Sequence, residues 1–302
     1  MKYGIVKLIF FLFPMFFIFS GCMLEDHEAN EYKPTTMPTQ KYELIVGIHP
    51  YLNTQKTFLA YEPIIRYLEK NIPLAHFTLE TSLDYGDYER KLYAGHFDLA
   101  LPNPLQTLES TKHGYRIVAK MKPDSVFRGV IVSRKENHIH SVEQLRHKPI
   151  SFPASTALAA TLMPKMFLYE KGLNVDKDAM PRYVGSQYSS IMNAYSKDTI
   201  AAATWPTPWI TWQKENPQKA QEMELIWETP SLVNNGFVIR SNIDHNLSEK
   251  IVTLLCALDT SAEGKKLLKD AGFDGFEKAS AKTYIPVEAF LKQYDRTLGL
   301  PK

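Results

Sequence analysis

The chain has 302 residues, of which 44% are hydrophobic and 23% charged, so it is long enough for two domains of ordinary globular composition. The formal net charge is +2, and because residues 1–21 hold Lys2 and Lys7 but no acidic residue, the remainder is electrically balanced. This balance gives no support for nucleic-acid binding, and the two cysteines, Cys22 and Cys256, exclude a disulfide framework.

The N-terminus predicts export and lipid attachment. The apolar run LIFFLFPMFFIFS follows a basic start and is shorter than the about 20 residues that span a bilayer, which is typical of a signal peptide over residues 1–21. The end of this run continues into FSGC, residues 19–22, which resembles the bacterial lipobox, although Leu is usual where Phe19 stands, and makes Cys22 the expected lipidated residue. Residues 22–40 lack apolar periodicity and predict a tether, so the protein is expected in the periplasm or at the cell surface, anchored in a membrane. The alternative is a signal anchor that is not cleaved.

Strands and helices alternate along the rest of the chain, which predicts an α/β fold with mostly parallel sheets. Strands are predicted at 42–50, 75–82, 97–103, 128–136, 149–153, 181–185, 199–205, 223–229 and 235–242. Helices are predicted at 61–71, 84–95, 141–149, from Ser155, at 189–197, at 247–261 and over two C-terminal segments. The pattern predicts two lobes with a ligand cleft between them, lobe 1 over 41–127 plus 226–302 and lobe 2 over 128–225. Extended crossings near 127–130 and 223–228 would act as hinges.

The stretch FPASTALAATLMP, residues 152–164, predicts an anion site at a helix N-terminus. If the helix begins at Ser155 or Thr156, its first N–H groups have no intrahelical partner and the helix dipole adds partial positive charge. The two hydroxyls supply further donors, and small residues from Ala157 onward let an oxyanion approach the backbone. The alternative is ordinary capping of the helix by Ser or Thr.

Polar residues follow several other strands, at the edge of the sheets where α/β proteins bind ligands. Each of these segments could instead be a simple turn. The candidate ligand-binding residues in them are Tyr51, Asn103, Ser186, Gln187 and Asn235.

Aromatic residues are dense in TWPTPWITW, residues 204–212. Trp205 ends a strand and is a candidate wall of the ligand pocket, whereas Trp209 and Trp212 are expected to pack an irregular loop. His49 could donate to an anion, but a single His before Pro is expected to be structural. Cys256 is expected in the core, because it lies among apolar helical positions.

The sequence resembles the PhnD-like phosphonate- and phosphite-binding proteins of ABC importers over about residues 42–300. The motifs that carry the resemblance are Pro153, Ser155, Thr156 and Pro164, the pair Asp84 and Tyr85, the strand FDLA at 97–100, LIWETP at 225–230 and NNGFVIR at 234–240. The resemblance implies the two-lobed type II periplasmic-binding-protein fold, closure of the lobes on a ligand and delivery of that ligand to a membrane permease.

Three departures from the family pattern bear on the ligand. Pro102 or Asn103 stands where the family has an aromatic residue, Ser186 or Gln187 where it has His, and Asn235 where it has an acid. Without an acid there is no partner for an ammonium group. The expected ligand is therefore a small oxyanion without an amine, such as phosphite, phosphate or a simple phosphonate.

Three other functions stay open at this point. Such a protein could present oxyanions, including arsenic species, to a sensor kinase; it could be an enzyme on the same scaffold; or it could be a surface lipoprotein with a filled cleft. The motifs G-x-S-x-G, H-E-x-x-H and G-x-x-x-x-G-K-[ST] are absent from the sequence, so the chain is not expected to be an enzyme. Neither a metal nor a cofactor is expected, and the protein is expected to be a monomer.

Overall fold

The computed structural model describes residues 41–301. The predicted signal peptide, the lipidation site at Cys22 and the tether lie outside the described residues. The strands are β1 Tyr42–Ile48, β2 Ala75–Glu80, β3 Leu99–Leu101, β4 Tyr115–Lys122, β5 Val130–Arg134, β6 Pro149–Phe152, β7 Met180–Tyr183, β8 Ala201–Thr204, β9 Met223–Glu228, β10 Gly236–Arg240 and β11 Gly275–Lys278. The α-helices are α1 Thr54–Asn71, α2 Tyr85–Tyr93, α3 Pro104–Ser110, α4 Met163–Glu170, α5 Val175–Asp178, α6 Gln187–Tyr195, α7 Pro206–Glu215, α8 Pro217–Ala220, α9 His245–Cys256, α10 Ala262–Ala271 and α11 Ile285–Leu298.

The strands form two sheets, each flanked by helices. The first sheet has the order β11-β4-β10-β3-β1-β2 and the second the order β7-β6-β8-β5-β9. We call the part built on the first sheet lobe 1 and the part built on the second sheet lobe 2. This arrangement confirms the predicted α/β fold with two lobes.

Both sheets are mixed, which corrects the expectation of mostly parallel pairing. β1 pairs parallel with β2 and β3, and β6 pairs parallel with β7 and β8. The antiparallel pairings involve β5 and β10, which are the first strands after each crossing between the lobes, and also β11. A chain that enters a sheet directly from the other lobe has no crossover helix to reverse it, so it runs against its neighbours.

Two crossings connect the lobes, and they are bonded to each other. The N–H of Gly129 donates to Oγ1 of Thr229 at 2.9 Å, and the N–H of Leu232 donates to the carbonyl of Phe127 at 2.9 Å. The return crossing therefore follows β9 and does not coincide with residues 223–228. The sequence-based boundary between 225 and 226 would cut through β9, which pairs with β5. The extents of the lobes stay a prediction, with the second boundary better placed after Glu228.

Several elements differ from the sequence-based expectation. α1 begins at Thr54 because the side chain of Asn53 accepts from the N–H of Lys56 at 2.9 Å. The segment TWPTPWITW is not an irregular loop but forms α7, with prolines confined to its first turn, where no N–H is needed. α3, β4 and β11 were not predicted, and the helix expected at 141–149 is a short 3-10 turn, Val142–Leu145.

Apolar side chains fill both lobes. Trp209 and Trp212 stack with ring centroids 5.4 Å apart and are buried, so the packing role expected for them holds although the backbone is helical. Cys256 is half-buried at the end of α9 beside the core of lobe 1. Within residues 41–301, none of the helices is both long enough and apolar enough to span a membrane.

Candidate functional site

A small cavity lies between the lobes, where β1, β3, β6 and β8 end. Parallel strands point their carboxyl ends to one edge of a sheet, so the residues that follow these strands converge there. The cavity measures about 10 Å³, which is about the room that one water molecule needs. Its lining residues are His49, Tyr85, Asn103, Phe127, Ala157, Leu158, Ala159, Ala160, Gln187, Trp205 and Asn235.

A helix N-terminus forms one wall of this cavity. A π-helical turn, Leu158–Leu162, continues directly into α4. The N–H groups of Leu158, Ala159 and Ala160 are the first of this helix, so they have no helix carbonyl to bond. All three residues line the cavity, the side chains of Ala159 and Ala160 are small, and the helix dipole adds partial positive charge at this end.

The helix start corrects the prediction made from Ser155 and Thr156. The helix begins at Leu158, and the preceding turn is closed by a bond from the N–H of Ala157 to the carbonyl of Ala154 at 3.3 Å. The Oγ1 of Thr161 also donates to that carbonyl, at 2.7 Å. Ser155 and Thr156 occupy the turn, half-buried and outside the cavity lining. Ala157 holds the cap position without a side chain able to cap.

His49 contributes a neutral imidazole. Its Nδ1 lies 2.8 Å from the carbonyl oxygen of Leu101, which can only accept, so Nδ1 carries the proton. Burial lowers the pKa of His49 to about 4, although the bond to Leu101 acts in the opposite direction. The ring is therefore uncharged at neutral pH, and Nε2 is the nitrogen that the bond to Leu101 does not use.

A hydrogen-bond chain crosses the cleft and ends on a phenol. The Oγ1 of Thr204 donates to Oε1 of Gln187 at 2.8 Å, and Nε2 of Gln187 donates to the hydroxyl oxygen of Tyr85 at 3.3 Å. Burial raises the pKa of Tyr85, so its hydroxyl keeps its proton. Since the oxygen already accepts from Gln187, the Tyr85 O–H is oriented to donate elsewhere, and Tyr85 lines the cavity.

Two asparagines line the cavity in different states. Asn103 uses its Oδ1 to accept from the N–H groups of Leu105 and Gln106, and its Nδ2 donates to the carbonyl of Thr156 at 3.2 Å. Asn235 is fully buried, its Nδ2 lies 3.5 Å from the sulfur of Met121, and its Oδ1 has no hydrogen-bond partner among the described residues. Asn103 is thus largely occupied in capping α3 and joining the lobes, whereas Asn235 has an unused polar atom.

The lining of the cavity within residues 41–301 contains no Lys, Arg, Asp or Glu. A charged guest would therefore be held by neutral donors and by the helix dipole. No group of three or more His, Cys, Asp or Glu side chains in the described part of the chain is placed to hold a metal ion.

Trp205 lines both this cavity and a second, larger pocket. Its ring meets Tyr51 edge-on at 5.5 Å and lies 5.8 Å from Phe127. The larger pocket measures about 620 Å³. Tyr51 itself is outside the small cavity, where its hydroxyl bonds that of Tyr61 at 2.8 Å.

Contacts at the rim hold the lobes together. Lys56 of α1 forms an ion pair with Glu215 of α7 and lies over the ring of Tyr188 at 5.2 Å. Ser186 also lies outside the cavity lining, where its hydroxyl caps α6 by accepting from the N–H of Ser189 at 3.0 Å. The ion pair of Lys56 with Glu215 joins the lobes at the rim, as the bonds from Asn103 to Thr156 and from Gln187 to Tyr85 join them beside the cavity.

Five of the nine ligand-binding candidates line the cavity, namely Asn103, Ala157, Gln187, Trp205 and Asn235, and four do not, namely Tyr51, Ser155, Thr156 and Ser186. Phe127 and Leu158 were missed from the sequence, Tyr85 was named only as a motif residue, and His49 was given a structural role. The position of His49 directly after β1 was the available signal, whereas Phe127 lies in a crossing whose path the sequence did not indicate.

Residues 46–284 match the family model described as "ABC transporter, phosphonate, periplasmic substrate-binding protein". The chain belongs to this family. The match confirms the resemblance drawn from the sequence motifs and implies a periplasmic location.

Two curated members of the family are similar in sequence. A probable ABC transporter phosphite binding protein, PhnD1 of Prochlorococcus marinus strain MIT 9301, is 24% identical over 185 residues, 57% of this chain and 62% of that protein. The phosphonates-binding periplasmic protein of Escherichia coli K12 is 23% identical over 165 residues, 52% of this chain and 48% of that protein. The aligned parts thus span about half to three fifths of these relatives.

Solved structures share the fold over most of the chain. The binding protein component of an ABC phosphonate transporter from Pseudomonas aeruginosa superposes with a TM-score of 0.76 at 16% identity, covering 85% of this chain and 88% of that one. PhnD1 of Prochlorococcus marinus in complex with methylphosphonate gives a TM-score of 0.76 at 20% identity, covering 84% and 98%. The relatives are binding proteins of transporters, which agrees with the expectation that this chain is not an enzyme.

Proposed function

We propose that this protein binds a small phosphorus oxyanion at this cavity, whose lining moves apart as the lobes open to admit the ligand, and delivers it to an ABC importer. The observation that carries the proposal is the helix start at Leu158, Ala159 and Ala160, residues that line a cavity without charged side chains. Helix N-termini of this kind bind phosphate-like groups. The phosphite and phosphonate names of the relatives support the same ligand class.

The remaining donors are neutral and come from both lobes. The O–H of Tyr85 reaches the ligand from lobe 1, held by the bond from Gln187 of lobe 2. Asn235 would present its NH₂ once its side-chain amide is reversed. In this proposal the backbone groups of the helix start take the role first given to the hydroxyls of Ser155 and Thr156.

Closure of the lobes would couple binding to delivery. A ligand that bonds both lobes stabilises the closed arrangement relative to an open one by its differential affinity for the two. The absence of an acid from the cavity lining within residues 41–301 disfavours an aminoalkyl phosphonate, whose ammonium group would be buried without a partner.

Thermal unfolding of the purified chain with a ligand panel tests the proposal. Phosphite, phosphate, methylphosphonate, aminoethylphosphonate, arsenite, arsenate and sulfate are compared, and a ligand at 100 times its Kd adds about 2.7 kcal/mol to the unfolding free energy. We expect a shift with phosphite, phosphate or methylphosphonate and none with aminoethylphosphonate. If none of the phosphorus oxyanions raises the Tm, the proposal is wrong.

A pair of tyrosine variants makes the test specific to the site. Tyr85→Phe removes the O–H that faces the cavity and is expected to weaken binding about tenfold or more. Tyr88→Phe is the matched control, because Tyr88 is equally buried on the same helix but outside the cavity lining, and its hydroxyl has no partner among the described residues. Equal losses in the two variants would contradict a direct role for Tyr85.

Attachment to the membrane through a lipid on Cys22 is part of the proposal. Mass analysis of the N-terminal peptide from membranes should find a diacylated cysteine, and Cys22→Ser should release the protein from the membrane fraction. An unmodified Cys22 in the membrane fraction would support the uncleaved signal anchor instead. Size-exclusion chromatography with light scattering tests the expected monomer.

Ligand uptake tests delivery to an importer. Cells that lack the protein should lose growth on the bound oxyanion as sole phosphorus source, and expression of the chain should restore it. Normal growth together with a lost transcriptional response to the oxyanion would support the alternative output through a sensor kinase.

A further inference from the structure

His49 lines the cavity and has one ring nitrogen free to accept a hydrogen bond. Its Nδ1–H is fixed on the carbonyl of Leu101 at 2.8 Å, so the other ring nitrogen, Nε2, carries a lone pair and no proton. The backbone N–H of His49 donates to the same carbonyl at 3.3 Å, which holds the residue firmly at the end of β1. The tautomer is therefore set by the fold and not by the guest.

The surroundings of His49 keep the ring neutral. Its ring is packed by Tyr51 at 5.1 Å, Tyr85 at 6.1 Å and Tyr88 at 6.3 Å, and burial raises the pKa of all three phenols, that of Tyr51 to about 12. The carboxylate of Glu89 on α2 contributes to the raised pKa of Tyr85 and Tyr88. The same carboxylate accepts a hydrogen bond from Nε2 of Gln106 at 2.9 Å. Burial among these rings lowers the pKa of His49 and keeps the imidazole neutral.

Asn235 can offer the ligand either an acceptor or a donor, whereas His49 can offer only an acceptor. His49 is therefore the residue that can distinguish a ligand with an O–H from one without. The unpartnered Oδ1 of Asn235 can be exchanged for its NH₂ by a reversal of the amide, which would leave the oxygen against the sulfur of Met121. The imidazole has no equivalent reversal, because Leu101 requires a proton on Nδ1. A guest with acceptor atoms alone would therefore leave two lone pairs opposed at Nε2, which is costly in a buried site.

We propose that the cavity selects oxyanions that carry one acidic proton, and that the ligand donates this O–H to Nε2 of His49. The proton stays on the ligand, and the N–H groups at the helix start donate hydrogen bonds to the other oxygens of the ligand. This proposal rests on the proposed function and narrows it to the monoprotonated phosphorus oxyanion. It excludes the fully ionised form and also sulfonates and sulfate, which keep no proton at neutral pH.

Two isosteric ligands test this directly. Methylphosphonate as its monoanion and methanesulfonate have the same shape and charge and differ by one O–H. Calorimetry on the purified chain should show that methylphosphonate binds about ten to a hundred times more tightly. Equal affinity for the two would overturn the inference and leave the proposed function standing, whereas no binding of any phosphorus oxyanion would overturn the proposed function.

The proton count provides a second readout in the wild-type chain. Above the second pKa of the ligand, binding should take up one proton, measured from the binding heats in buffers of different ionisation enthalpy, and affinity should fall about tenfold per pH unit. Below that pKa the uptake should vanish. Binding of methylphosphonate without proton uptake above its second pKa would overturn the inference.

The protonation state of the His49 ring in the complex distinguishes a neutral acceptor from an imidazolium. In ¹⁵N spectra of the complex, the His49 signals, assigned by their loss in His49→Phe, should be those of a neutral ring with Nδ1 protonated; an imidazolium would overturn the inference. His49→Phe should also bring the affinities for the two ligands close together. Tyr61→Phe is the control, because Tyr61 bonds Tyr51 away from the cavity and should leave the ratio unchanged. If His49→Phe retains the wild-type ratio, His49 is not the selecting residue.

Discussion

Two adjacent asparagines should respond in opposite directions to the same substitution. Asn234 and Asn235 are both buried, with exposed fractions of 1% and 0%. Asn234 is fully used, since its Oδ1 accepts from the N–H of Asn235 at 2.8 Å and its Nδ2 donates to the carbonyl of Pro123 at 3.0 Å. Asn235 has only a weak contact with the sulfur of Met121, and its Oδ1 has no partner within the described residues.

The magnitudes follow from which polar groups each substitution leaves buried. Asn234→Leu orphans an N–H and a carbonyl at the joint between the crossings, and at about 1–3 kcal/mol for each it should lower the unfolding free energy by about 2–5 kcal/mol. Asn235→Leu removes an acceptor that is already unpaired, so the ligand-free protein should be stabilised by about 1 kcal/mol. The same change removes a donor from the site, so binding of methylphosphonate should weaken.

Urea unfolding of both variants without ligand, followed by calorimetry with methylphosphonate, measures these effects. Fluorescence of the four tryptophans reports the transition. A loss of more than about 1 kcal/mol in Asn235→Leu would show that its Oδ1 is satisfied in solution, and unchanged affinity would remove Asn235 from the site. Equal destabilisation of the two variants would refute the hydrogen-bond reasoning as a whole.

Three further substitutions have definite expectations. Gly129→Ala would place a Cβ 2.6 Å from the carbonyl oxygen of Ala159. It should lower the unfolding free energy in urea by about 1–3 kcal/mol and weaken ligand binding, whereas Gly86→Ala on the exposed face of α2 should do neither. Equal effects of the two substitutions would contradict the packing argument. Trp205→Ala should lower the unfolding free energy by about 3–5 kcal/mol. It should also join the small cavity to the 620 Å³ pocket, so that phenylphosphonate binds and raises the Tm. If phenylphosphonate does not raise the Tm of this variant, another group closes the cavity. The pKa of His49 is about 4 in the folded protein and 6.5 in the unfolded reference, so only the unfolded chain gains this proton as the pH falls from 6.5 towards 4. This should lower the unfolding free energy of the wild type by up to about 3 kcal/mol over that range. His49→Gln should lack this part of the pH dependence, and identical profiles for the two proteins would contradict the assigned burial.

The fold was largely predictable because its signals are local. Apolar runs marked β1, β5 and β10, and the side chain of Asp84 marked the start of α2, where it accepts from the N–H of Asp87 at 2.8 Å. The pairing directions of β5 and β10 were not predictable from such signals. They depend on where each crossing delivers the chain, and no local pattern records that path.

The sequence also placed most of the cavity at the correct strand ends, but it misplaced the start of the helix. Ser155 and Thr156 are good capping residues by propensity. The turn closed by Ala154 moves the first helical residue to Leu158, and Thr161 supports that turn from inside the helix. A capping side chain bonds an N–H within about three residues of itself. The turn before Leu158 is instead held by the bond from Thr161 to Ala154, seven residues apart, which a capping motif does not reveal.

By itself the sequence determined which polar residues stand at the ends of the strands, and so the edge at which a ligand could bind. Only the tertiary structure decided which of their atoms remain available. Asn103 is occupied by Thr156, 53 residues away, and Gln187 is turned onto Tyr85, 102 residues away. Hydrogen-bond partners of this kind come from the other lobe, so the chemistry of the cavity exists only when the lobes meet.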